Sequence, residues 1–414
     1  MATTDTSALG ALLKRLYSPE EIGNLINLES PVLARCAAEG SAQLGGSGFY
    51  FPVRVEANEG HSYIAETGDL PAARSSTVLT ALVTPKIQAG VAQVSGLAKA
   101  VSSGNAMAFA RAFDEQVQTL IAAMTAYREG VFFRDGTGVL TQFNGAVATS
   151  AGPHTVDDVS HLREGMYVDI LDQGDNSTRH DTAAKITAID WVNRTVTFSA
   201  AVAAAVDDND YILITGASQT GTTSGTMYEP IGVEGALLTS GTYLGIDRGT
   251  YSNWQANAMT VSAFLDEDVI MRALTRVTQE SGIQRSGMRG KMMGVLHPQQ
   301  LDILFKLAIP RMHFTGNSFD LGYGGDSDIK FGGVGFCTSY QAPTAKGYIG
   351  DWSAFKTFYT PNGQLHVDSE YNGSALKWVA TKDVGLMFVK SYHAFACKNP
   401  QKFIRLASLT EGSR

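Results

Sequence analysis

One segment of the chain, residues 104–133, has the periodicity of a long helix. Its large apolar side chains recur at steps of three and four positions, namely Phe113, Val117, Leu120, Ile121, Met124, Tyr127 and Val131. This spacing places them in one stripe along a helix, and at 1.5 Å per residue the helix would be about 45 Å long. Ser103 or Asn105 can cap its start, and Asp135-Gly136 predicts its end.

Two segments closer to the N-terminus alternate between apolar and polar positions as strands do. The first is Phe49–Val55 and the second is Val78–Val94. The residues between them, Asn58–Ser76, are polar and rich in turn formers, so the pattern predicts a hairpin with a long tip. Because an isolated two-stranded hairpin is marginally stable in water, we expect this one to pack against something outside the chain's own core.

Residues 137–226 have the pattern of short strands separated by polar turns. The strand-like runs are Tyr167–Leu171, Lys185–Trp191, Thr195–Phe198 and Tyr211–Ile214. Their length and spacing favour a small β-barrel inserted into a host domain. The Gly/Ser/Thr-rich segment Gly216–Thr226 is expected to be the return linker.

The C-terminal part of the chain mixes helical and strand patterns. We predict a helix over 266–281, a strand over Met292–Leu296 and a second helix from Pro298 to Ala308, since proline suits the first helical position. Further strands are expected near Gly347–Gly350, Phe355–Tyr359, Leu365–Val367 and Gly385–His393. Residues 1–48 contain two short helical patterns and are expected to form an arm. The glycine-rich segment 316–335 is expected to be a mobile loop.

Composition narrows the class of protein. The chain has 414 residues, of which 44% are hydrophobic and 17% charged, which suits a large core and excludes low-complexity disorder. Its longest apolar run, Ala200–Val206, is far shorter than the roughly 20 residues of a membrane-spanning helix. The net charge is −8, and residues 137–226 carry most of it with 4 basic and 11 acidic side chains. The linear sequence has no evident basic patch of the kind that nucleic-acid readers carry.

The usual catalytic and ligand-binding motifs are missing from the sequence. It contains no phosphate-binding loop, no nucleophile elbow, no His-Glu-x-x-His and no Cys-x-x-Cys. The three cysteines, Cys36, Cys337 and Cys397, are too far apart for a zinc site or a disulfide framework. His297 is interpreted as a helix cap.

Two acidic turns are candidate sites for a metal ion. They contain Asp172 and Asp175, and Asp207, Asp208 and Asp210. They could offer oxygen ligands to Ca²⁺, but they lack the order of an EF-hand loop, and a solvated loop is the preferred interpretation. We therefore expect no catalytic residue, no metal and no cofactor.

Several stretches together resemble the major capsid proteins of tailed bacteriophages, which have the Hong Kong 97-type shell fold. The predicted arm, hairpin and long helix follow the family's order of N-terminal arm, extended loop and spine helix. The resembling stretches are AETGDLP (Ala65–Pro71), REGVFFRDGTGVL (Arg128–Leu140), GVLHPQQLDILFKL (Gly294–Leu307) and KGYIGDWSAFKTFYT (Lys346–Thr360). The four stretches contain 49 of the 414 residues, and their order and spacing are more specific than any one of them.

The resemblance implies an α+β Hong Kong 97-type capsid fold with a small all-β insertion domain. It implies these divisions: 1–48 N-terminal arm; 49–95 extended loop; 96–136 peripheral domain with the spine helix; 137–226 inserted β-barrel; 227–375 axial domain; 376–414 return to the peripheral domain. Glu66, Asp69, Leu70, Pro71 and Arg74 would contact the adjacent subunit, and Phe113, Val117, Leu120, Ile121 and Met124 would pack the spine helix.

The function implied by the resemblance is a non-enzymatic one: an icosahedral shell that encloses double-stranded DNA, found in the virion and assembled in the cytoplasm of a bacterial host. The implied partners are further copies in hexamers and pentamers, a scaffolding protein, a portal protein, decoration proteins and non-specifically contacted DNA, with no membrane. Lys86 is the single lysine of residues 50–95 and lies away from the tip, so no crosslinking through the loop is expected. An encapsulin-like protein compartment and a secreted β-rich enzyme remain as alternatives.

Overall fold

The computed structural model describes most of the chain from residue 38 onward. The described residues are 32, 38–39, 43–46, 48–66, 68–96, 106–174, 178–203, 205–215, 228–282, 292–308, 330–331, 334–361, 364–367, 377–379 and 381–410. The side chains of residues 106–116 are not among them. The predicted helices of residues 1–48, the linker Gly216–Thr226 and nearly all of the loop 316–335 therefore lie outside the described residues.

The described residues contain 23 strands, numbered here in chain order. The first eleven are β1 (Ala38–Glu39), β2 (Gln43–Gly45), β3 (Gly48–Glu56), β4 (Thr77–Val83), β5 (Lys86–Ser95), β6 (Val139–Gln142), β7 (His154–Thr155), β8 (Tyr167–Leu171), β9 (Arg179–Asp190), β10 (Thr195–Phe198) and β11 (Tyr211–Ile214). The others are β12 (Thr242–Tyr243), β13 (Ile246–Asp247), β14 (Asn257–Thr260), β15 (Met292–Leu296), β16 (Lys330–Phe331), β17 (Val334–Thr338), β18 (Gly347–Asp351), β19 (Phe355–Tyr359), β20 (His366–Val367), β21 (Lys377–Trp378), β22 (Val384–Cys397) and β23 (Phe403–Ala407).

Four α-helices lie in the described part of the chain. They are α1 (Ala106–Phe133), α2 (Val233–Ala236), α3 (Glu267–Ser281) and α4 (Pro298–Ala308). Short 3-10 turns occupy Ser252–Trp254, Trp352–Ala354 and Pro400–Lys402. The chain divides into two compact units: unit 1 comprises residues 1–30, 85–129 and 359–393, and unit 2 comprises 31–84, 130–358 and 394–414. No helix in the described residues is both long and apolar enough to cross a membrane.

Unit 1 is built from α1 and a long antiparallel strand pair. β5 pairs with β22 over ten residues, from Lys86 opposite His393 to Ser95 opposite Val384. The short strands β20 and β21 also pair with β22. Gly90 of β5 faces α1 so closely that a Cβ there would lie 2.6 Å from the Met124 sulfur and 3.1 Å from Leu120. A glycine at this position lets the helix lie directly on the strand.

The long helix ends where the sequence predicted. α1 spans 28 residues, about 42 Å, and the chain turns after it through Gly136, whose φ of +94° suits glycine. The carboxylate of Asp135 accepts hydrogen bonds from the backbone N–H and the hydroxyl of Thr137. This Asx turn satisfies local donors and fixes the direction in which the chain leaves the helix.

The predicted hairpin forms, but it is shorter at its base than expected. β3 pairs with β4 from Phe49 opposite Val83 to Glu56 opposite Thr77. The predicted second strand, Val78–Val94, is instead two strands, because Pro85 lacks the N–H that a continuous ladder needs. The residues after the proline form β5 and pair with β22 rather than with β3.

The inserted segment is a closed six-stranded sheet within unit 2. Its strand order is β6-β11-β8-β9-β10-β7, and the two outer strands meet through a bridge between Phe143 and Val156. Backbone hydrogen bonds from Asn144 to Thr155 and from Asp157 to Gln142 flank this bridge. Fully buried side chains fill the interior: Val168, Ile170, Ile186, Val196, Phe198 and Ile212. The sheet therefore closes into a small barrel, as its strand spacing predicted.

The other large sheet of unit 2 has the order β14-β23-β18-β15-β17-β16 and mixes parallel and antiparallel pairs. α3 and α4 supply the buried apolar residues that cover it, among them Ile270, Leu274, Leu301 and Leu304. Asp266 caps α3 by accepting from the Val269 N–H at 2.8 Å, and Nδ1 of His297 accepts from the Gln299 N–H at the start of α4. The interpretation of His297 as a cap is confirmed.

Candidate assembly surfaces

The base of the hairpin is buried on unit 2 itself. Phe49 and Phe51 lie with ring centroids 5.4 and 6.2 Å from Phe358, and the Lys398 ammonium lies 5.5 Å from the Phe51 ring. The side-chain amide of Asn253 donates to the Val55 carbonyl at 3.0 Å. The expectation that the hairpin packs outside the chain's own core is therefore wrong for its base, because three aromatic rings and a capping amide hold one face to unit 2.

The tip of the hairpin has no such support. Residues 57–66 and 68–76 form no strand and are almost all exposed. Tyr63 and Leu70 show 108% and 82% of their reference surface, and Ile64 shows 48%. A backbone hydrogen bond from Gly68 to the Ala65 carbonyl, 2.9 Å long, forms a turn beside them. Large apolar side chains at this exposure are typical of surfaces that contact another molecule.

All five predicted contact residues lie on this tip. Glu66, Asp69, Leu70, Pro71 and Arg74 are exposed. The segment from residue 56 to 76 contains four carboxylates and one arginine, so the tip combines apolar side chains with an excess of negative charge. This combination suits a surface that is apolar and basic.

A second apolar surface, which the sequence did not single out, lies on unit 1. In the β5–β22 pair, two residues that lie directly opposite each other have their side chains on the same face of the sheet. On the face turned away from α1, Ile87 lies opposite Tyr392 and Val91 lies opposite Phe388. Ile87 is 67% exposed and Val91 47% exposed. We call this set, with Lys390, the open sheet face. The alternation of apolar residues in β5 was the available signal.

Positive charge borders the open sheet face. The ammonium groups of Lys377 and Lys390 lie 5.4 and 5.9 Å from the centre of the Phe388 ring, within the range of cation–π attraction. Lys86 stands at the start of β5, and partial burial lowers its pKa from the usual lysine value. The open sheet face is thus apolar and basic, the reverse in charge of the hairpin tip.

The opposite face of the same strand pair receives α1. Val117 and Met124 are buried, Leu120 and Ile121 are partly buried, and the side chain of Phe113 lies outside the described residues. The Gln88 side-chain amide donates to the Met124 carbonyl at 2.8 Å, and its oxygen accepts from the Arg128 guanidinium. Burial beside Arg128 lowers the pKa of His393 to about 3, which keeps that imidazole neutral under the helix.

A polar cavity of about 500 Å³ lies in unit 2 beside the end of α1. Charged side chains of its lining have partners within the protein. The Lys346 ammonium forms an ion pair with Glu234 at 2.8 Å, and the Asp158 carboxylate accepts hydrogen bonds from the backbone N–H groups of Ser160 and Thr344. Burial, together with the charge of Arg134, lowers the pKa of His161 to about 4. His161 lies 3.3 Å from the Gln341 amide oxygen, so the group joins the barrel to the large sheet and has the character of a structural polar network.

One group of described residues has the composition of a metal centre. Asp172, His180 and Asp210 offer ligand atoms that all lie within 4.8 Å of one another. The sequence grouped Asp172 and Asp210 with separate acidic turns, and it gave no signal for His180. Asp175 lies outside the described residues. Of the cysteines, Cys337 and Cys397 are buried and unbridged, and burial raises the pKa of the Cys397 thiol above its usual value.

Comparison with known proteins gives a structural likeness without a sequence relative. No family model and no curated protein matches the chain. The capsid asymmetric unit of cyanophage A-1(L) is similar in structure, with a TM-score of 0.60 and 10% sequence identity over 99% of both chains. The capsid of the native GTA particle is also similar, with a TM-score of 0.50 and 10% identity over 99% of this chain and 100% of that one. The chain therefore has the α+β fold of the Hong Kong 97-type capsid proteins, and the fold expected from the sequence is confirmed.

Proposed function

We propose that this protein is the major capsid protein of a tailed bacteriophage and assembles into the icosahedral shell that encloses the double-stranded DNA. The observation that carries the proposal is the structural likeness to a phage capsid protein across 99% of both chains, a share of this chain that includes the hairpin, the long helix and the inserted barrel. A shell protein works through repeated contacts between copies, so the role needs no catalytic residue.

The working surfaces would be the hairpin tip and the open sheet face. We propose that the tip of one copy lies on the open sheet face of the next, with Leu70 and Pro71 covering apolar side chains such as Ile87 and Val91. Exposed apolar side chains on both partners support this pairing, since their burial contributes about 25 cal/mol per Å². Glu66, Asp69 and Arg74 would pair with charges on the neighbour, and Lys390 is one suitable partner.

The ranges expected from the resemblance are proposed as the working parts of the subunit: arm (1–48), extended loop (49–95), peripheral domain (96–136 and 376–414), inserted barrel (137–226) and axial domain (227–375). For the extended loop, the pairing of β5 with β22 favours placing its end at Val83. The barrel would stand on the outer surface of the shell.

The proposed partners beyond further copies are those of a phage capsid. Hexamers and pentamers of this chain would form the shell, a separate scaffolding protein would direct its size, and a portal protein would replace one pentamer. Decoration proteins would bind the outside of the shell, and packaged DNA would touch the inside without sequence recognition. The acidic balance of the chain, −8, suits loose contact with DNA, because tight phosphate binding needs clustered Lys and Arg. The assembled protein would be found in the virion after assembly in the bacterial cytoplasm.

The test is to purify the full chain and examine it by size-exclusion chromatography and negative-stain microscopy. We expect closed particles, or hexamers and pentamers that close when a scaffolding protein is supplied. Replacing residues 59–74 with a short glycine turn should abolish particles and leave the melting temperature of the subunit within 2 °C or so of the native value, because the tip buries little on its own unit. A monodisperse monomer at high concentration would overturn the proposal, and protein cargo in place of nucleic acid would favour an encapsulin-like compartment.

A further inference from the structure

The inserted barrel brings three potential metal ligands together at one end of three neighbouring strands. Asp172 directly follows β8, Asp210 directly precedes β11 and His180 is the second residue of β9. In the sheet, β8 lies between β11 and β9, with Leu171 opposite both Tyr211 and Arg179. The pairing of β8 with β9 and β11 therefore brings the three ligands together, although they are not neighbours in the sequence.

The spacing of the three groups fits a shared ion better than direct hydrogen bonds. The His180 Nε2 atom lies 3.6 Å from the Asp210 carboxylate and 4.0 Å from the Asp172 carboxylate. An N–H···O hydrogen bond is about 2.7–3.2 Å long. Ligands held at about 2.0–2.2 Å from one tetrahedral ion stand about 3.3–3.6 Å apart. The ligand atoms of the three residues all lie within 4.8 Å of one another, so a closer approach of up to about 1 Å between them would place these atoms around one ion.

The carboxylate of Asp210 is buried, and a nearby cation would stabilise its charge. Its residue is 3% exposed, and its two oxygens accept backbone hydrogen bonds from Gln173 and Asp207. In the described part of the barrel, His180 is the only basic side chain within ion-pair distance of it. Arg179, the next residue, is engaged with Asp169 on another part of the sheet. A buried carboxylate is costly without a compensating positive charge, and a bound divalent cation would supply that charge.

We propose that Asp172, His180 and Asp210 form a binding site for a divalent first-row transition ion such as Zn²⁺. Imidazole together with carboxylates suits zinc and its neighbours, whereas Ca²⁺ takes six to eight oxygen ligands. Three protein ligands leave a position for water, which the 34% exposure of the Asp172 side chain allows. The ion would join β8, β9 and β11 at this end of the barrel and stabilise the insertion.

The test uses the full chain, stripped with EDTA and then titrated with Zn²⁺. We expect one tightly bound zinc per chain by calorimetry or elemental analysis, and a rise of about 5 °C in the melting temperature when free zinc reaches a hundredfold excess over the dissociation constant. Co²⁺ in place of zinc should give a visible absorption band that is stronger than that of the aqueous ion, because such a band reports tetrahedral or five-coordinate Co²⁺.

Two variants and a matched control decide whether these residues hold the ion. Asp172→Asn and His180→Gln should each lose the zinc-dependent rise in melting temperature and the cobalt band. Asp208→Asn should keep both, because Asp208 is in the same acidic loop but accepts from the Gly145 N–H instead. If His180→Gln does not fold, Asp172→Asn decides alone, since its remaining amide oxygen can still accept from Gly174.

Three outcomes would overturn the proposal. One is the absence of bound zinc in the native chain. Another is equal zinc binding and stabilisation in both ligand variants, which would mean an adventitious ion only, held elsewhere by an exposed histidine such as His61. The third is a larger stabilisation by Ca²⁺ than by Zn²⁺ at equal concentration.

Discussion

The hairpin and the barrel both extend from the main sheets of the chain, and they differ in how they bury their apolar side chains. The barrel closes through the Phe143–Val156 bridge and buries its own apolar side chains, including Ile170 and Ile212. The hairpin buries only its base, and its tip exposes Tyr63 and Leu70. The contrast separates apolar residues that stabilise the subunit from those that the proposed assembly would bury between copies.

The largest expected effect concerns assembly through the hairpin tip. Leu70→Glu should remove closed particles, because each contact would lose the roughly 1.5–3 kcal/mol of a buried leucine and the loss is repeated at every copy. Size-exclusion chromatography with negative-stain microscopy measures this. Val192→Glu is the matched control, since Val192 is 90% exposed on the barrel. The comparison fails if both variants assemble alike.

The next prediction concerns the barrel core. Ile170 is fully buried, so Ile170→Ala should lower the free energy of unfolding by about 2–5 kcal/mol through lost burial and a new cavity. Denaturant unfolding monitored by circular dichroism measures it, and Val192→Ala should change the same quantity by less than about 0.5 kcal/mol. A loss below about 1 kcal/mol for Ile170→Ala would show that the barrel interior is not tightly packed.

Acid should weaken the junction between the barrel and the large sheet. Burial lowers the pKa of His161 from 6.5 to about 4. Between pH 6.5 and 4, His161 is therefore protonated in the unfolded chain and neutral in the folded chain. Stability therefore falls as the pH drops from 6.5 to 4, with a contribution of about 3 kcal/mol from this residue, and the fall ends below the folded pKa.

Unfolding measured across this pH range tests the acid effect. His161→Gln should flatten the profile by the stated amount relative to the native chain. His61→Gln is the control on the hairpin tip, where the side chain is 80% exposed, and it should leave the profile unchanged. An unaltered slope in the His161 variant would contradict the prediction.

The smallest expected effect concerns the charges of the tip. Glu66→Gln should weaken each contact by about 0–1 kcal/mol, as exposed ion pairs do, and the effect should shrink in high salt. The onset concentration of assembly, followed by light scattering at two salt concentrations, measures it. Glu164→Gln, an exposed carboxylate of the barrel, should not move the onset. A loss larger than that of Leu70→Glu would reverse the ranking of apolar and charged contacts.

Local patterns predicted much of this fold. α1, α3, α4 and the barrel strands β8, β10 and β11 form where periodicity and capping residues placed them, because these signals act over a few neighbouring residues. The division of Val78–Val94 into β4 and β5 was missed although Pro85 marks it. The partner of β5 is β22, almost three hundred residues away, and no local pattern specifies such a pairing.

The hairpin tip could be predicted from the sequence, whereas the open sheet face and the Asp172, His180 and Asp210 group could not, because both depend on contacts between distant parts of the chain. The exposure of the tip could be predicted from its composition, since turn-rich polar segments stand at the surface, whereas the choice of its five contact residues came from the resemblance to the capsid family. The open sheet face depends on which side α1 covers, a tertiary fact that close packing at Gly90 determines. The association of His180 with Asp172 and Asp210 depends on strand order in the barrel, so the sequence offered only the acidic turns.

The closing strands of the barrel have a practical consequence. β6 brings the chain into the domain and β11 takes it out, and the two pair side by side, with Gln142 opposite Tyr211 and Val139 opposite Leu213. Entry and exit points that nearly touch let one folded module be exchanged for another with little effect on the host. This position is therefore suited to genetic fusion. A foreign domain whose termini lie close together could replace the barrel, and every subunit would then carry one copy of it.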